Sequence, residues 1–249
     1  MPRIARAVMV DYPHHIDWQS RFSGLLPSIG GSILLKQNCR PITQRGNNRQ
    51  KVFFAQYTWR RYLGWLTEYA QKHQVDILAY CLMTNHIHLL VKPRQSASLA
   101  KTMQGLNLKY TQFINHQYHR TGRIWAGRFY SCIIDAENYL WAVARYIEQN
   151  PLRAKMVRRV EDYPYSSAPA HILGQDDEVL TEALFPAEER IDYIKFVRSA
   201  IPDKEMKFLR YSTGNDKPLG NDKFIRRIEK SLGCSFEAKS AGRPRNKGV

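Results

Sequence analysis

The segment that most constrains the fold is Leu82–Val91, which places His86 and His88 inside an apolar run. Side chains two positions apart on a strand project from the same face, so the two imidazoles lie side by side. Ile87 and Leu89 then face the opposite side. A buried imidazole needs a partner for its polar nitrogen atoms. A divalent metal ion is one such partner, and hydrogen bonds to the backbone or between the two histidines are the alternative.

The spacing of apolar residues along the chain predicts an α+β fold. Helical periodicity marks residues 58–71, 98–118 and 136–150. Apolar runs predict strands at 77–82, 86–92 and 128–134, with an earlier strand near 7–16. The resulting order is strand, helix, strand, strand, helix, strand, helix. This order indicates an antiparallel sheet flanked by helices.

The helix predicted at 136–150 could carry chemistry. Asp135 is placed to cap its first turn and Pro151 to end it. Tyr146 and Asn150 lie one turn apart on one face, together with Tyr139 and Val143. If the two histidines meet this face, imidazole nitrogens, an amide oxygen and a phenol surround one spot, which suits a divalent cation beside a nucleophile. The alternative is that Tyr146 packs in the core.

The net charge of +16 predicts a polyanionic partner. Between Lys92 and Ile134 there is no acidic residue, whereas aromatic side chains alternate with cations. That combination is typical of single-stranded nucleic acid binding, in which rings stack on bases. The alternative is a core of aromatics below a solvated basic face. The cations of this stretch are Lys92, Arg94, Lys101, Lys109, Arg120, Arg123 and Arg128.

Other features narrow the class of protein. No apolar run approaches the roughly 20 residues of a membrane-spanning helix, and residues 1–6 lack the apolar stretch of a signal peptide. The four cysteines are scattered without a C-x-x-C pair, which is typical of a reducing compartment. We therefore expect a cytoplasmic, nucleoid-associated protein with no membrane partner.

The pattern changes near residue 170. Short amphipathic helices are predicted at 188–200, 204–211 and 222–232, followed by a basic tail that contains Arg243 and Arg245. The Gly-Arg-Pro-Arg core of that tail is thin enough to enter an A·T-rich minor groove, or it is a disordered basic end. Residues 171–249 are therefore predicted to form a helical, basic, DNA-binding extension.

Several motifs resemble those of one family. The run 82–91 is similar to the His-hydrophobe-His signature of HUH single-strand DNA transferases. The segments Pro13–Ile16, Thr43–Arg49, Trp125–Phe129 and Arg145–Pro151 appear in the order found in REP-associated tyrosine transposases. The resemblance covers residues 1–170, and it is weaker at 219–224 and 242–245.

The resemblance implies a ferredoxin-like fold and a metal-dependent DNA endonuclease and strand transferase. It assigns Tyr146 as the nucleophile and His86, His88 and Asn150 as ligands of Mg²⁺ or Mn²⁺, with Gln149 as the fallback ligand. The implied substrates are single strands that contain hairpins or imperfect palindromes. Such enzymes attach the 5′ phosphate to tyrosine, and they act as monomers or as homodimers.

One departure from the family pattern is residues 17–42, which separate two halves of a motif that normally run together. Cys39–Thr43 is predicted to supply a substitute strand, with the rest of the insertion as a protruding loop. The alternative functions are a non-catalytic nucleic-acid-binding protein derived from such a transposase and a metal-dependent phosphoesterase that uses water.

Overall fold

The computed structural model describes residues 39–215, 217–233 and 235–236. Its strands are β1 (Arg40–Arg45), β2 (Val75–Met83), β3 (His86–Pro93) and β4 (Tyr130–Ser131). The helices are α1 (Gln56–Lys72), α2 (Ser98–Gln117), α3 (Ala136–Glu148), α4 (Asn150–Arg153), α5 (Ala168–Leu173), α6 (Arg190–Arg198), α7 (Asp203–Asn215) and α8 (Asp222–Leu232). The strand predicted near 7–16, residues 17–38 of the insertion, and the tail with Arg243 and Arg245 lie outside the described residues.

The four strands form one antiparallel sheet in the order β2-β3-β1-β4. Together with the connecting helices this is the strand order of a ferredoxin-like fold, and the α+β prediction is confirmed. The strand β1 begins at Arg40, within the last three residues of the insertion, so a strand does form where Cys39–Thr43 was expected to replace the interrupted one. Its pairing with β3 sets Thr43 opposite His88 and Arg45 opposite His86.

Each face of the sheet has its own hydrophobic core. Ile87, Leu89 and Val91 face α1 and α2, where Tyr62 and Tyr110 are fully buried. The opposite face, which carries Leu90 and both histidines of β3, lies under α3. A core on this side is shared by residues of β2, α3 and the later helices, including Cys81, Val143, Tyr193 and Leu209. Alternation along β3 therefore separates the histidines from the larger aromatic core, as predicted.

The chain around Pro151 differs from the expectation. The helix α3 ends at Glu148, and a further turn, α4, starts at Asn150 with Pro151 in its first turn. Proline is tolerated there because its missing N–H would be unpaired in any case. Pro151 therefore begins a second short helix rather than simply ending the first.

The strand predicted at 128–134 is also shorter than expected. Only Tyr130 and Ser131 pair with β1, through Thr43 and Ile42. Beyond this short pairing, Ile134 N–H still donates to the Cys39 carbonyl at 3.1 Å in the same register, whereas Asp135 N–H donates to the Leu219 carbonyl at 2.8 Å. The sheet edge is thus extended by a segment that comes from the far end of the described chain.

The helices after residue 170 pack on α3 and beside β4. Arg145 of α3 is buried and makes a bidentate ion pair with Glu205 of α7 at 2.6 and 2.7 Å. The last helix, α8, buries Phe224, Ile228 and Leu232 against Ile133. Within the described residues, no helix is long and apolar enough to cross a membrane.

A buried carboxylate holds α3 in place. Glu148 is fully buried, and its Oε1 accepts hydrogen bonds from Ser167 Oγ and His171 Nδ1, both at 2.6 Å. Its Oε2 accepts one from Tyr193 Oη at 2.8 Å. Burial, with the carboxylate beside it, raises the pKa of Tyr193, so this hydroxyl remains a donor. One side chain of α3 thus connects the helix to α5, α6 and the loop before α5.

Replacing Glu148 should destabilise the whole fold. Glu148→Ala leaves the buried donors of His171 and Tyr193 without this acceptor, while Ser167 Oγ keeps only a longer bond to the Tyr80 carbonyl at 3.3 Å. We therefore expect a loss of about 3–5 kcal/mol in the free energy of unfolding. Chemical denaturation followed by circular dichroism measures this loss. Glu178→Ala, at an exposed position, is the control and should change stability by less than about 0.5 kcal/mol. A Glu148→Ala protein as stable as that control would contradict the role assigned to the network.

Candidate active site

The two histidines of β3 project from the same face toward α3. Their ring centroids lie 4.9 Å apart with the rings nearly perpendicular. The ring of Tyr146, on α3, approaches His88 with a centroid distance of 5.8 Å. The structure therefore brings Tyr146 next to two histidines that lie about 60 residues earlier in the sequence.

Hydrogen bonds fix the orientation of both imidazoles. His86 Nδ1 donates to Asn85 Oδ1 at 2.6 Å, and His88 Nδ1 shares a hydrogen bond with Thr43 Oγ1 at 2.9 Å. These bonds occupy Nδ1 of each ring and leave the Nε2 atoms available. Partners of this kind set the tautomer and orientation of histidines that bind metals.

Burial keeps both imidazoles neutral. It lowers the pKa of His86 to about 4, with a smaller contribution from Arg45. It also lowers the pKa of His88 well below its usual value, and the nearby His86, Arg153 and Arg45 act in the same direction. Neutral imidazole is the form that binds a metal ion, so no proton has to leave either ring at neutral pH.

Tyr146 is mostly buried, with 7% of its surface exposed. Its carbonyl accepts hydrogen bonds from Asn150 Nδ2 at 2.9 Å and from Arg153 Nη2 at 2.8 Å. Tyr139, four residues before Val143 on the same helix, instead packs near Phe208 of α7, with a ring distance of 6.1 Å. Of these two tyrosines of α3, Tyr146 is the one that meets the histidines.

The two predicted third ligands have different surroundings. Asn150 is half-buried, and its Nδ2 also donates to the Ile147 carbonyl at 3.1 Å, so this amide closes the end of α3. Gln149 is buried, and its Nε2 donates to the carbonyls of Val197 and Ser199 at 2.6 and 2.8 Å. The Gln149 amide nitrogen is thus bound to the end of α6, whereas the Asn150 amide stays beside Tyr146.

The two histidines and the amide of Asn150 suit a divalent cation, but they supply only three donor atoms. Two neutral imidazoles and one amide oxygen supply nitrogen and oxygen but no negative charge. Across residues 39–215, 217–233 and 235–236, no group of three or more His, Cys, Asp and Glu side chains could hold a metal ion. An ion bound by such neutral ligands needs further oxygen atoms from water or from a phosphate.

The sequence analysis missed Arg153. Its guanidinium lies over the ring of Tyr146, with Cζ 4.7 Å from the ring centroid. The spacing Tyr146, Asn150, Arg153 follows the helical i, i+4, i+7 pattern, so the signal was available in the sequence. It was overlooked because α4 was not expected to continue the helix beyond Pro151.

The predicted DNA-binding cations separate into two groups. Lys92, Arg94 and Lys109 form ion pairs with Glu182, Asp76 and Glu68 at 2.6, 2.8 and 2.9 Å. These carboxylates come from outside the acid-free stretch, so the linear pattern concealed them. The remaining described cations, which make no ion pair with a described carboxylate, are Lys101, Arg120, Arg123 and Arg128.

The prediction that aromatics of this stretch stack on bases is wrong for three of them. Tyr110, Trp125 and Phe129 are buried in the core under α1 and α2, with at most 6% of their surface exposed. Tyr110 also donates its hydroxyl to the Val52 carbonyl at 2.7 Å. These rings contribute to the stability of the fold and are not accessible to nucleic acid bases.

Two motifs that are far apart in sequence are joined beside the histidines. Gln44 Nε2 donates to the Gly127 carbonyl at 3.0 Å, and Asn47 N–H donates to the Ile124 carbonyl at 2.8 Å. Gly46 sits where a Cβ atom would collide with the Gln50 carbonyl, so glycine is required at this turn. This junction also brings the exposed Arg45 close to the exposed cations of residues 123–128.

The Thr43 hydroxyl provides a test of the histidine site. Thr43→Val keeps the shape of the side chain but removes the partner of His88, so we expect Mn²⁺ affinity to fall about 10–100-fold. Isothermal titration calorimetry with Mn²⁺ alone measures the loss. Thr43→Ser retains the hydroxyl and should bind nearly as well as the unmodified protein. Equal affinity in all three proteins would show that this hydroxyl does not support a metal ligand.

Comparison with known proteins agrees with the geometry of the site. Residues 41–150 match the family described as "Transposase IS200 like". A protein of Haemophilus influenzae, provisionally named a REP-associated tyrosine transposase, is 29% identical over 107 residues, a match that covers 39% of this chain and 61% of that protein. This chain thus spans less than two thirds of that relative's length.

A solved structure of a REP-associated tyrosine transposase bound to a REP hairpin shows 18% identity and a TM-score of 0.47, covering 61% of this chain and 89% of that one. The family match spans β1 to the end of α3 and includes both histidines and Tyr146. The family uses a divalent metal ion. Residues 41–150 are thus similar to the IS200-like transposases, and the motifs of the chain resemble those of the REP-associated tyrosine transposases.

Proposed function

We propose that the protein is a metal-dependent endonuclease and strand transferase that acts on single-stranded or hairpin DNA through a 5′-phosphotyrosine intermediate. The observation that carries this proposal is the contact of His86, His88 and Tyr146 in one chain, with ring distances of 4.9 and 5.8 Å. Since one chain contributes all three, a single copy contains the complete set.

Tyr146 is the proposed nucleophile. Its Oη attacks the phosphorus of a phosphodiester, a bond forms between Oη and phosphorus, and the bond from phosphorus to the 3′ oxygen breaks. The phenol loses its proton to solvent, and the departing 3′ oxygen takes one up as a hydroxyl. The phosphotyrosine ester conserves the phosphodiester linkage, so a later 3′-hydroxyl can attack it and reseal the strand.

The residues proposed to hold Mg²⁺ or Mn²⁺ are His86 and His88, through Nε2, and Asn150, through its amide oxygen. Gln149 is the weaker choice because its amide nitrogen is bound to the end of α6. A bound divalent ion would polarise the phosphate and offset its developing charge. The contribution of the protein is to keep both imidazoles neutral and to hold their orientation through Asn85 and Thr43.

The DNA is proposed to lie along the basic edge next to this site. Arg45 is paired with His86 across β1 and β3, and Arg123 and Arg128 lie on the loop bonded to residues 44–47. All three side chains are exposed and free of ion pairs with described carboxylates. They are therefore available to contact phosphates together with Arg120, whereas Lys101 lies at the opposite end of α2, beside Lys72 and His73.

The decisive experiment concerns the tyrosine hydroxyl. Tyr146→Phe removes one oxygen atom and keeps the ring packing, so hairpin affinity should be preserved while cleavage and covalent adduct both disappear. His86→Ala and His88→Ala should also abolish cleavage, through loss of the metal ion. Incubation with labelled hairpin DNA and Mn²⁺, followed by a denaturing gel, measures both products.

The controls separate the alternative functions. Tyr139→Phe, on the same helix but remote from the histidines, should form the adduct at the normal rate. Binding of DNA with no product in the unmodified protein would indicate a non-catalytic binder, and cleavage without protein-linked DNA would indicate hydrolysis by water. An adduct formed by Tyr146→Phe would exclude Tyr146 as the nucleophile.

Residues 171–249 are proposed to add a second DNA contact through α8. The apolar side of this helix is buried, while the opposite side exposes four cations at i, i+3, i+4 and i+7 spacing. No ion pair to another described residue neutralises them, so they suit the phosphates of a duplex stem. These cations are Lys223, Arg226, Arg227 and Lys230.

Neutralising part of this face should weaken DNA binding without unfolding the protein. For Arg226→Gln/Arg227→Gln we expect lower affinity for a hairpin with a duplex stem and a salt-dependence slope smaller by up to about 1.8. Fluorescence anisotropy at several salt concentrations measures both quantities. The matched control is Arg159→Gln/Lys195→Gln, which removes two surface cations that are already paired with Asp162 and Asp192. Identical slopes for the two variants would remove α8 from the interface.

A further inference from the structure

Arg153 is a half-buried cation that lies over the ring of Tyr146. Its Nη2 donates to the Tyr146 carbonyl, but Nη1 is buried and has no hydrogen-bond partner. No carboxylate within the described part of the chain pairs with it. By contrast, Arg145 on the preceding helix has a counter-ion: its Nη2 donates to both carboxylate oxygens of Glu205, although its Nε is also buried without a hydrogen-bond partner.

Such a charge is costly to bury. Removing a guanidinium from water without an anion or a full set of acceptors is unfavourable by several kcal/mol. Burial accordingly lowers the pKa of Arg153 to about 10, which still leaves the side chain charged at neutral pH. One guanidinium N–H group next to the ring of Tyr146 is thus left without an acceptor among the described residues.

The surroundings of Arg153 are poor in negative charge. The groups that act on it or on the adjacent His88 are Tyr146, Cys81 and further cations, Arg45 and Arg210. Among the described residues, an anion that reached Nη1 would therefore meet donors and positive charge, and none of the side chains that act on Arg153 is a carboxylate.

We propose that Arg153 binds a non-bridging oxygen of the phosphate that Tyr146 attacks, and keeps this contact when the phosphate is attached to the tyrosine. The inference rests on the proposed function and adds to it a residue that touches the substrate. Nη1 is the free donor, while the bond from Nη2 to the Tyr146 carbonyl holds the guanidinium over the ring. No covalent bond to Arg153 forms or breaks. Its positive charge stabilises the phosphoryl group both in the DNA phosphodiester and in the phosphotyrosine ester.

The first test does not depend on catalysis. The side-chain Nε–H resonance of Arg153 is assigned by its loss in Arg153→Lys, and inorganic phosphate is titrated at constant ionic strength in EDTA. We expect a saturating shift of the Arg153 resonance and none for Arg145, because the carboxylate of Glu205 already neutralises the charge of Arg145 through Nη2. No shift at Arg153, or equal shifts at both arginines, would overturn the proposal.

The second test measures the reaction. Arg153→Met keeps an unbranched side chain over the ring, so hairpin affinity should stay within about threefold while the rate of adduct formation falls by about 100-fold or more. Arg153→Lys should recover part of that rate. Thermal melting of both variants shows that they are folded. A normal rate in a folded Arg153→Met protein would overturn the assignment.

The two tests separate failure of this proposal from failure of the proposed function. If the unmodified protein forms no adduct, the strand-transfer function fails, and the phosphate titration alone still decides whether Arg153 binds an anion. If the adduct forms but the Arg153 resonance does not respond to phosphate, the strand-transfer function stands and the role of Arg153 is rejected.

Discussion

The buried carboxylate of Glu148 is the interaction on which the candidate site depends. It lies two residues after Tyr146 on α3 and accepts hydrogen bonds from Ser167, His171 and Tyr193. A buried carboxylate with three donors fixes its own position, because each donor left unpaired would be costly. The opposite side of α3 is thereby held against the sheet, where Tyr146 meets His88. The helices after residue 170 thus position the site, and they share its core.

The chemistry of the site depends on the kinds of side chain that the described elements bring to it, none of which is acidic. The strand β3 presents two neutral imidazoles, α3 presents a phenol, and the short helix α4 adds an amide and a guanidinium. The described carboxylates are instead used elsewhere, with Glu148 buried among donors and Glu205 paired with Arg145. A centre with no acidic side chain among the described residues suits an anionic substrate, and the metal ion proposed there would need further oxygen atoms from water or from that substrate.

The surface charge is more structured than its total suggests. The protein has a net charge of +16. Lys92, Arg94 and Lys109 are nevertheless neutralised by carboxylates from other parts of the chain. The cations without an ion pair to a described carboxylate include those at residues 45 and 120–128, next to the histidines, and those on the exposed side of α8. A count of charges along the sequence therefore overestimates the proposed DNA interface where cations are paired with carboxylates, and it overlooks the interface proposed on α8.

The sequence by itself determined the strand with His86 and His88, the alternation that puts Ile87 and Leu89 on the other face, the helix carrying Tyr146 and the order of elements. These features follow from short-range periodicity, which a single sequence records directly. Tertiary structure decided which aromatics are core, which cations are paired, that Gln149 is bound to α6, and that Arg153 lies over Tyr146. The first three depend on contacts between residues far apart in the chain, which no local pattern records. The position of Arg153 depends on the path of the chain at Pro151, which local propensity did not specify.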